Sequence, residues 1–305
     1  MKLKILFCII MLAGSFCACQ KEEELAPSRT PNPFAPLPGA TDEESKLREE
    51  FYKNTGCHLL FNDTLRHEYR GLDENGQPFY ETELLGIEWE MTAMKSSRFR
   101  FEYLQSQEQK SRVVRFLQTQ LLGYMENVLP YSILAVNRID EYSSDYGSYE
   151  YAGSPLTCSN LQCLAMDVNR LWELTEEEEK TFAQDLCCEM IFASWGGSSR
   201  YSYTDGKAKE FFTINQYNYG QKKEYEDWMG NPVKLVPLEI GFLEDPYEST
   251  VPSAKEDAIA YIKACLSMTE EEFWAKYGGN DIKGYTRRKY NAIKPLLEAS
   301  GIKFN

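Results

Sequence analysis

Three capping boxes in the second half of this 305-residue chain constrain its fold more than any other feature of the sequence. Each has a hydroxyl residue and, three positions later, a glutamate: Thr175 and Glu178, Ser253 and Glu256, and Thr269 and Glu272. In such a box the two side chains satisfy amides that the first turn of a helix leaves without partners. The sequence therefore predicts three helices, over 176–194, 254–267 and 270–278.

Hydrophobic spacing predicts further helices and strands. Apolar side chains recur near helical spacing over 111–128, and Pro130 ends that helix, whereas 133–136 is a short apolar run typical of a buried strand. The other predicted elements are helices over 42–52 and 285–299, a strand over 57–61, a hairpin turn at 73–76, an exposed loop over 140–153 and an irregular segment over 198–237. Together they predict an α+β fold that is mostly helical with a small sheet.

The first residues resemble a bacterial secretory signal peptide. Two lysines precede an apolar stretch over 5–12, which is too short to span a bilayer because a spanning helix needs about 20 residues. Ala18 and Cys19 follow, and this pair resembles the lipobox at which lipoproteins are cleaved and acylated. We therefore expect 1–18 to be removed and Cys19 to carry the lipid that holds the protein on the outer membrane.

Residues 19–40 have the composition of a tether. The acidic run over 20–24 resembles the export tag of surface lipoproteins in Bacteroidota; the alternative is a plain solvated segment, since like-charged runs are usually disordered. Five prolines between positions 27 and 38 predict an extended, semi-rigid spacer. The remaining residues, 41–305, are expected to form a single domain on the cell surface.

The formal net charge of −14 excludes one broad class of partner. Such an acidic chain repels nucleic acid, and the sequence contains no basic stripe that would argue otherwise. Most of its 20 Tyr, 16 Phe and 5 Trp are expected in the core. Because tyrosine tolerates partial exposure, sugar or peptide contacts are expected first at the Tyr-rich segments 140–153 and 200–228.

Six cysteines follow Cys19, and the compartment expected for an exported protein permits disulfides. They are Cys57, Cys158, Cys163, Cys187, Cys188 and Cys265. The sequence does not choose among their pairings. Cys158 and Cys163 are near enough to pair across a turn, whereas the adjacent Cys187 and Cys188 would point in different directions on a helix. The sequence has no Cys-x-x-Cys pair, which argues against a structural zinc site.

The order of the predicted elements resembles that of the zinc-binding metallopeptidase lipoproteins found beside glycan-uptake systems in Bacteroidota. The resemblance covers most of 42–305 and includes the segment 241–247, which precedes the second capping box. It implies a zincin-like metallopeptidase fold. Members of that family carry His-Glu-x-x-His on the helix that corresponds to 176–194, where two imidazoles bind Zn²⁺ and the glutamate activates a water.

This zinc motif is degenerate in the present chain. The matching stretch is Cys-Glu-Met-Ile-Phe, so that Glu189 is present while Cys188 and Phe192 occupy the two histidine positions. A phenyl ring cannot bind a metal, and the side chains of Cys188 and Glu189 diverge on a helix. Loss of both imidazoles should remove high-affinity zinc and, with it, activation of a bound water. The resemblance therefore implies a vestigial site without catalytic residues.

Other metal ligands are sparse. The resemblance places a further acidic ligand after the second capping box, where Glu256 or Asp257 would correspond to it. These two residues and Cys188 are the remaining metal candidates, and no cofactor is expected. The only two histidines, His58 and His67, are far from the motif helix in sequence, and a lone histidine is more often an ordinary core or surface residue.

Three functions remain open. In the first, the protein is a non-catalytic surface lipoprotein that binds polysaccharide, glycoprotein or the proteins of an uptake complex. In the second, it is an active zinc peptidase in which Cys188 or acidic groups replace imidazole. In the third, it is a structural or cargo-binding lipoprotein unrelated to peptidases. A peptidase-like fold predicts that the Glu189 face of helix 176–194 packs beside helix 254–266. A filled cleft over 188–192 would favour a scaffold and an open cleft would favour binding.

Overall fold

The computed structural model describes residues 31–88, 97–122, 129–144, 147–195 and 206–301, and these residues form both helices and strands. The helices are α1 (Glu43–Thr55), α2 (Gln107–Phe116), α3 (Glu176–Ser194), α4 (Lys209–Thr213), α5 (Ala254–Ser267), α6 (Glu270–Tyr277) and α7 (Tyr285–Ala299). The strands are β1 (His58–Leu60), β2 (Thr64–Leu72), β3 (Pro78–Leu84), β4 (Ser97–Tyr103), β5 (Ser132–Ser143), β6 (Glu150–Gly153), β7 (Thr157–Ser159), β8 (Cys163–Asp167), β9 (Glu224–Glu226) and β10 (Pro232–Lys234). The predicted signal peptide 1–18, Cys19 and the tether as far as residue 30 lie outside the described residues.

The helices begin where side chains cap them. All three predicted capping boxes are formed, with both hydrogen bonds present in each, at the starts of α3, α5 and α6. A fourth box, between Ser106 and Gln109, begins α2, so this helix starts four residues before the predicted 111. It continues as a π-helical turn over Leu117–Leu121, and the predicted helical residues 123–128 lie outside the described part of the chain.

A six-stranded mixed sheet is built around the long strand β5. Strands β1 and β8 flank its first half in parallel, and their register aligns His58, Ser132 and Cys163. Strand β7 adds to β8 in the antiparallel direction. Strands β4 and β6 pair antiparallel with the second half of β5. The sheet therefore consists of a parallel centre with antiparallel additions.

The predicted strand 133–136 is only the beginning of β5. The segment 140–153, predicted as an exposed loop, contains the end of β5 and the whole of β6, so that prediction was wrong in part. The reason is pairing between its two halves: Tyr142 lies opposite Tyr151, and their rings meet edge to face at 5.9 Å. Aromatic pairs across neighbouring strands stabilise a sheet, and they occur in this segment despite its many polar residues.

Both faces of the sheet are buried, because successive side chains of a strand point to opposite faces. Leu59 and Ile133 point into a large core that the helices cover. Leu60 and Leu134 point into a smaller core on the other face. Phe34, which belongs to the predicted tether, is buried in this smaller core. The packed part of the chain therefore includes residues before position 41.

The segment 198–237, predicted to be irregular, is partly ordered, although 196–205 lie outside the described residues. Helix α4 forms because Phe211 and Phe212 are fully buried in the large core. Strands β9 and β10 form a hairpin. The predicted turn at 73–76 likewise joins β2 to β3.

The predicted α+β class is confirmed, with helices and strands in separate layers of one packed unit over 33–305. The remaining predicted helices are found within a few residues of their expected ends: α1, α5, α6 and α7. Among the helices that the structure describes, none combines the length and the apolar composition that a membrane crossing requires.

Candidate functional site

Helix α3 carries the degenerate motif into the middle of the molecule. Its sequence is apolar on several sides, and Leu186, Cys187 and Ile191 are completely buried. The helix packs against α5, the π-helical turn after α2 and strand β7. The predicted packing of 176–194 beside 254–266 is therefore confirmed.

Glu189 forms polar contacts with two neighbouring elements. Its Oε2 atom accepts a hydrogen bond from the Thr157 hydroxyl on β7 at 3.2 Å. The same oxygen lies 2.9 Å from the Lys255 ammonium on the first turn of α5. The Glu189 side chain is 14% exposed. The Glu189 carboxylate is therefore engaged by a cation and a hydroxyl group of the protein itself.

Cys188 and Phe192, at the two positions where the resemblance would place histidines, are part of the core. Both are buried, and the Phe192 ring packs edge to face against Phe212 of α4. Burial raises the pKa of the Cys188 thiol above its ordinary range, and the neighbouring Cys187 and Asp185 add to the effect. A thiol must lose its proton to bind a metal, so this environment opposes coordination by Cys188.

The Glu256 side chain caps the start of α5. Its Oε2 accepts a hydrogen bond from the Ser253 backbone amide at 2.7 Å, and Oε1 accepts one from the Tyr247 hydroxyl. Burial alone would raise the pKa of Glu256, but these hydrogen bonds outweigh it and hold the pKa below its ordinary value. The carboxylate therefore serves the start of α5.

Asp257, the next residue, points in a different direction and is completely buried. Its Oδ2 atom lies 2.6 Å from the Lys289 ammonium of α7 and accepts a hydrogen bond from the Tyr219 hydroxyl at 3.0 Å. The resemblance implied that Glu256 or Asp257 would supply an acidic metal ligand. In the structure Glu256 caps a helix and Asp257 forms a buried ion pair.

The described residues contain no group of three or more His, Cys, Asp or Glu side chains that could hold a metal ion. His58 begins β1 and stacks on the Tyr52 ring at 4.3 Å. His67 lies on β2, where its Nδ1 atom is 2.9 Å from the Thr82 hydroxyl and its ring stacks on Tyr80. Each histidine is therefore explained by its own neighbours.

All six cysteines after Cys19 are buried, and no disulfide joins any two of them. Cys158 and Cys163, which are close enough in sequence to pair across a turn, do not form a disulfide. Their strands β7 and β8 pair antiparallel, with Cys158 opposite Ala165 and Cys163 two positions further along. Burial raises the pKa of Cys163 to about 12, which suppresses the reactive thiolate.

A cavity of about 530 Å³ lies at the C-terminal end of α3. Its lining includes Met190 and Ser194 of α3, Leu164 of β8, Leu296 of α7 and Lys207. Glu189, Cys188 and Phe192 do not line it. Cys188 and Phe192 are buried instead, and the open space of this cavity lies at the end of the same helix.

The most exposed large hydrophobic side chain of the described residues, Trp228, lies at the turn of the β9–β10 hairpin beside Met229. Trp228 is 92% exposed and Met229 is 63% exposed. The turn that presents them is held by Asp227, whose Oδ1 atom accepts hydrogen bonds from the Met229 and Asn231 amides at 2.9 and 2.8 Å. An indole at a fixed position in water is typical of a binding surface, because its ring offers a large rigid contact area.

The β2–β3 hairpin presents a second aromatic surface. Tyr69 lies opposite Tyr80 on one face, and both rings are about half exposed. The opposite face carries paired charges, including Arg70 with Glu81 at 2.6 Å. Both hairpins lie away from the motif helix in sequence. The Tyr-rich segment 200–228 was predicted as a surface, and its last residue, Trp228, is its most exposed described aromatic.

Sequence reasoning missed the partners of the acidic residues. No sequence motif identifies Thr157, Lys255 or Lys289 as a partner of an acidic residue. Their contacts depend on which elements lie side by side in the fold. One local signal existed for Lys255, because it lies in the first helical turn beside the capping glutamate. No protein family, curated protein or solved structure matched this chain when it was compared with them.

Proposed function

We propose that this protein is a lipid-anchored protein of the outer-membrane surface, with a zincin-like fold used as a scaffold and no zinc chemistry. In this proposal it binds nutrient glycans or glycoproteins as an accessory component of an uptake system. Cys19 provides the anchor, and the residues that lead from it to the buried Phe34 hold the folded part away from the membrane.

The ion pair between Lys255 and Glu189 is the observation that carries this proposal. In a zinc peptidase the corresponding glutamate must be free to take a proton from a metal-bound water. Here an ammonium group lies 2.9 Å from its carboxylate. This ammonium group competes for the position that a water would need.

The buried neighbours of Glu189 support the same conclusion. Cys188 and Phe192 fill the space in which two imidazoles would converge, and Phe192 interlocks with Phe212. A filled cleft favours a scaffold. The packing of α3 beside α5 supports a fold related to the peptidases, since that contact would bring their ligand-bearing helices together.

Binding would then take place at the two exposed hairpins. Trp228 and Met229 project from a turn whose conformation is fixed by Asp227, so little conformational entropy is lost when a ligand is bound. Neutral sugar rings suit this surface, because an indole face stacks on their C–H groups while Asp227 and Asn231 offer hydrogen bonds. The acidic chain disfavours anionic partners.

The test uses the full-length protein in detergent, incubated with excess Zn²⁺ and dialysed. We expect far less than one zinc per chain by elemental analysis and no cleavage of casein or mucin. We also expect the protein to be retarded in native gels that contain a neutral polysaccharide. Glu189→Ala should leave that retardation unchanged, because Glu189 lies on α3 and is not part of the two hairpins that are proposed to bind.

Two results would overturn the proposal. The first is stoichiometric zinc together with peptide cleavage that Glu189→Ala abolishes, which would establish a peptidase with unusual ligands. The second is normal migration in every polysaccharide and glycoprotein gel, which would leave a scaffold without the proposed binding activity.

A further inference from the structure

Lys289 and Asp257 form a completely buried pair that joins α7 to α5. Their side chains are 0% exposed, and the Lys289 Nζ atom lies 2.6 Å from Asp257 Oδ2. The two residues are 32 positions apart in the chain. Asp257 Oδ1 has no hydrogen-bond partner among the described residues. An ion pair at this position would therefore leave one carboxylate oxygen, Asp257 Oδ1, without a hydrogen bond in the core, which lowers the free energy of unfolding.

Four aromatic rings surround the Lys289 amine. Their centroids lie between 4.2 and 5.7 Å from Nζ and belong to Phe211, Tyr219, Phe242 and Tyr261. Phe211, Phe242 and Tyr261 are buried, whereas Tyr219 is only partly buried. The rings exclude bulk water from the pair, and Tyr219 marks the side on which a small molecule could leave.

This environment favours the uncharged forms of both groups. Burial raises the pKa of Asp257, although the Lys289 charge opposes the shift. Burial lowers the pKa of Lys289, and the Asp257 charge opposes that shift. A neutral amine is a nucleophile, and a protonated carboxyl group is an electrophile with a hydroxyl that can leave. Two reactive partners are thus held in contact.

We propose that Lys289 Nζ and Asp257 Cγ condense into an amide, so that a covalent bond joins α5 and α7 in the mature protein. The product would be an internal cross-link between two side chains of one chain.

The reaction balances without any co-reactant. The nitrogen lone pair of the neutral Lys289 amine attacks Asp257 Cγ and forms the C–N bond. The Cγ–Oδ2 bond then breaks, and Oδ2 leaves as water with the carboxyl proton and one proton from the amine. The Tyr219 hydroxyl, which already donates to Oδ2 at 3.0 Å, polarises the carboxyl group. No group is oxidised or reduced.

Proximity and dehydration supply the driving force. Groups fixed in contact within one molecule reach effective concentrations of about 10⁵–10⁸ M, and the released water leaves past Tyr219, the partly exposed ring. The amide also replaces the buried pair by one neutral group, so that no charge has to be kept out of water.

An exposed pair in the same molecule provides a matched control. Lys263 of α5 lies 2.7 Å from Asp185 of α3, almost the same separation, but these side chains are 47% and 27% exposed. The hydrogen bond from Lys263 to Asp185 raises the pKa of this lysine, so its amine stays protonated and unreactive. If burial drives the reaction, only the Lys289–Asp257 pair should be linked.

The experiment is a tryptic peptide map of the full-length protein, denatured and analysed by mass spectrometry. We expect a branched peptide that joins the Asp257 and Lys289 segments and is lighter than the sum of its parts by one water. Trypsin should not cut after Lys289, because its amine is acylated. Lys263 and Asp185 should be recovered in separate, unmodified peptides.

Lys289→Arg provides the second measurement, since a guanidinium keeps the charge but does not form the amide. This variant should yield a linear Asp257 peptide and a lower melting temperature than the wild type, because the unfolded chain is no longer cross-linked. Recovery of Asp257 and Lys289 from the wild-type protein in separate, unmodified peptides would overturn the proposal, whatever the variant does.

Discussion

Lys255 Nζ lies 2.9 Å from Glu189 Oε2, so that the first turn of α5 neutralises the glutamate at the centre of the degenerate motif. Thr157 of β7 donates to the same oxygen. Three elements that are distant in sequence therefore meet at one carboxylate. The contacts hold the Glu189 carboxylate between α5 and β7 and give it a structural role.

The Glu189–Lys255 pair should contribute measurably to stability. A double-mutant cycle with Glu189→Gln and Lys255→Met should give a coupling of about 1 kcal/mol, because both partners are more than half shielded from water. The free energy of unfolding in urea measures it. The exposed Glu177–Lys180 pair at the start of the same helix is the control, and its cycle should show no measurable coupling. A zero value at Glu189–Lys255 would contradict the structural role.

Gly241 should not tolerate a side chain. Its φ is +85°, and a Cβ atom there would lie 2.6 Å from Tyr285 Cβ. Gly241→Ala should therefore destabilise the protein by about 3 kcal/mol, combining backbone strain with a clash against α7. Gly76→Ala is matched in φ, at +74°, but nothing lies within 4 Å of its Cβ. It should cost only about 1 kcal/mol. Equal urea midpoints for the two variants would refute the argument.

The buried thiols should make the protein less stable in alkali. Burial raises the pKa of four of them from an ordinary 9.0 to about 12: Cys57, Cys163, Cys187 and Cys265. The unfolded chain releases these protons above pH 9.0 and the folded chain does not. The stabilisation is therefore complete below that pH and is lost as the pH rises towards the folded values.

Urea unfolding between about pH 8 and about pH 11 should show this decline, at roughly 1 kcal/mol per pH unit for each thiol once the unfolded thiols are ionised. Cys187→Ala should make the free energy of unfolding fall less steeply with pH, by the contribution of one thiol. A thiol reagent added to the native protein at neutral pH should react only as fast as the protein unfolds. Rapid labelling of the folded protein would show that the cysteines are accessible.

Trp228 should carry most of the proposed glycan affinity. Because Trp228 is 92% exposed, Trp228→Ala should leave the melting temperature unchanged. It should weaken retardation in polysaccharide gels by about tenfold, the size of effect that a single aromatic hot spot has. Tyr217→Ala is the control, since Tyr217 is also largely exposed, at 81%, but lies outside the hairpin. An equal loss of retardation in both variants would contradict the proposal that the hairpin turn is the binding surface.

Cys19 should decide where the protein is found. Cys19→Ser should move it from the membrane fraction to the soluble fraction of the cell envelope, because the acyl chains that anchor it are no longer attached. Cys17→Ser, two residues earlier, should leave the protein in the membrane fraction. Cell fractionation with immunodetection distinguishes the two. Loss of the anchor in Cys17→Ser alone would move the predicted cleavage site.

The helices were largely predictable because their signals are local. Thr175, Ser253 and Thr269 cap helices within three residues of themselves, so no distant contact was needed to place them. The end of β5 and the whole of β6 were not predictable, because the polar composition of 140–153 hides a pairing between Tyr142 and Tyr151. Strands need partners that periodicity alone does not identify.

The sequence by itself determined that the stretch 188–192 contains no histidine, since Cys188 and Phe192 stand at its two ends. It also determined the capped helix that carries these residues and Glu189. Only the tertiary structure decided which cation faces Glu189, because Lys255 reaches it across the contact between two helices. It likewise decided that Asp257 meets Lys289 in a dry aromatic pocket. Burial and charge pairing depend on the neighbours of a residue in space, and those neighbours are set by packing across the whole fold.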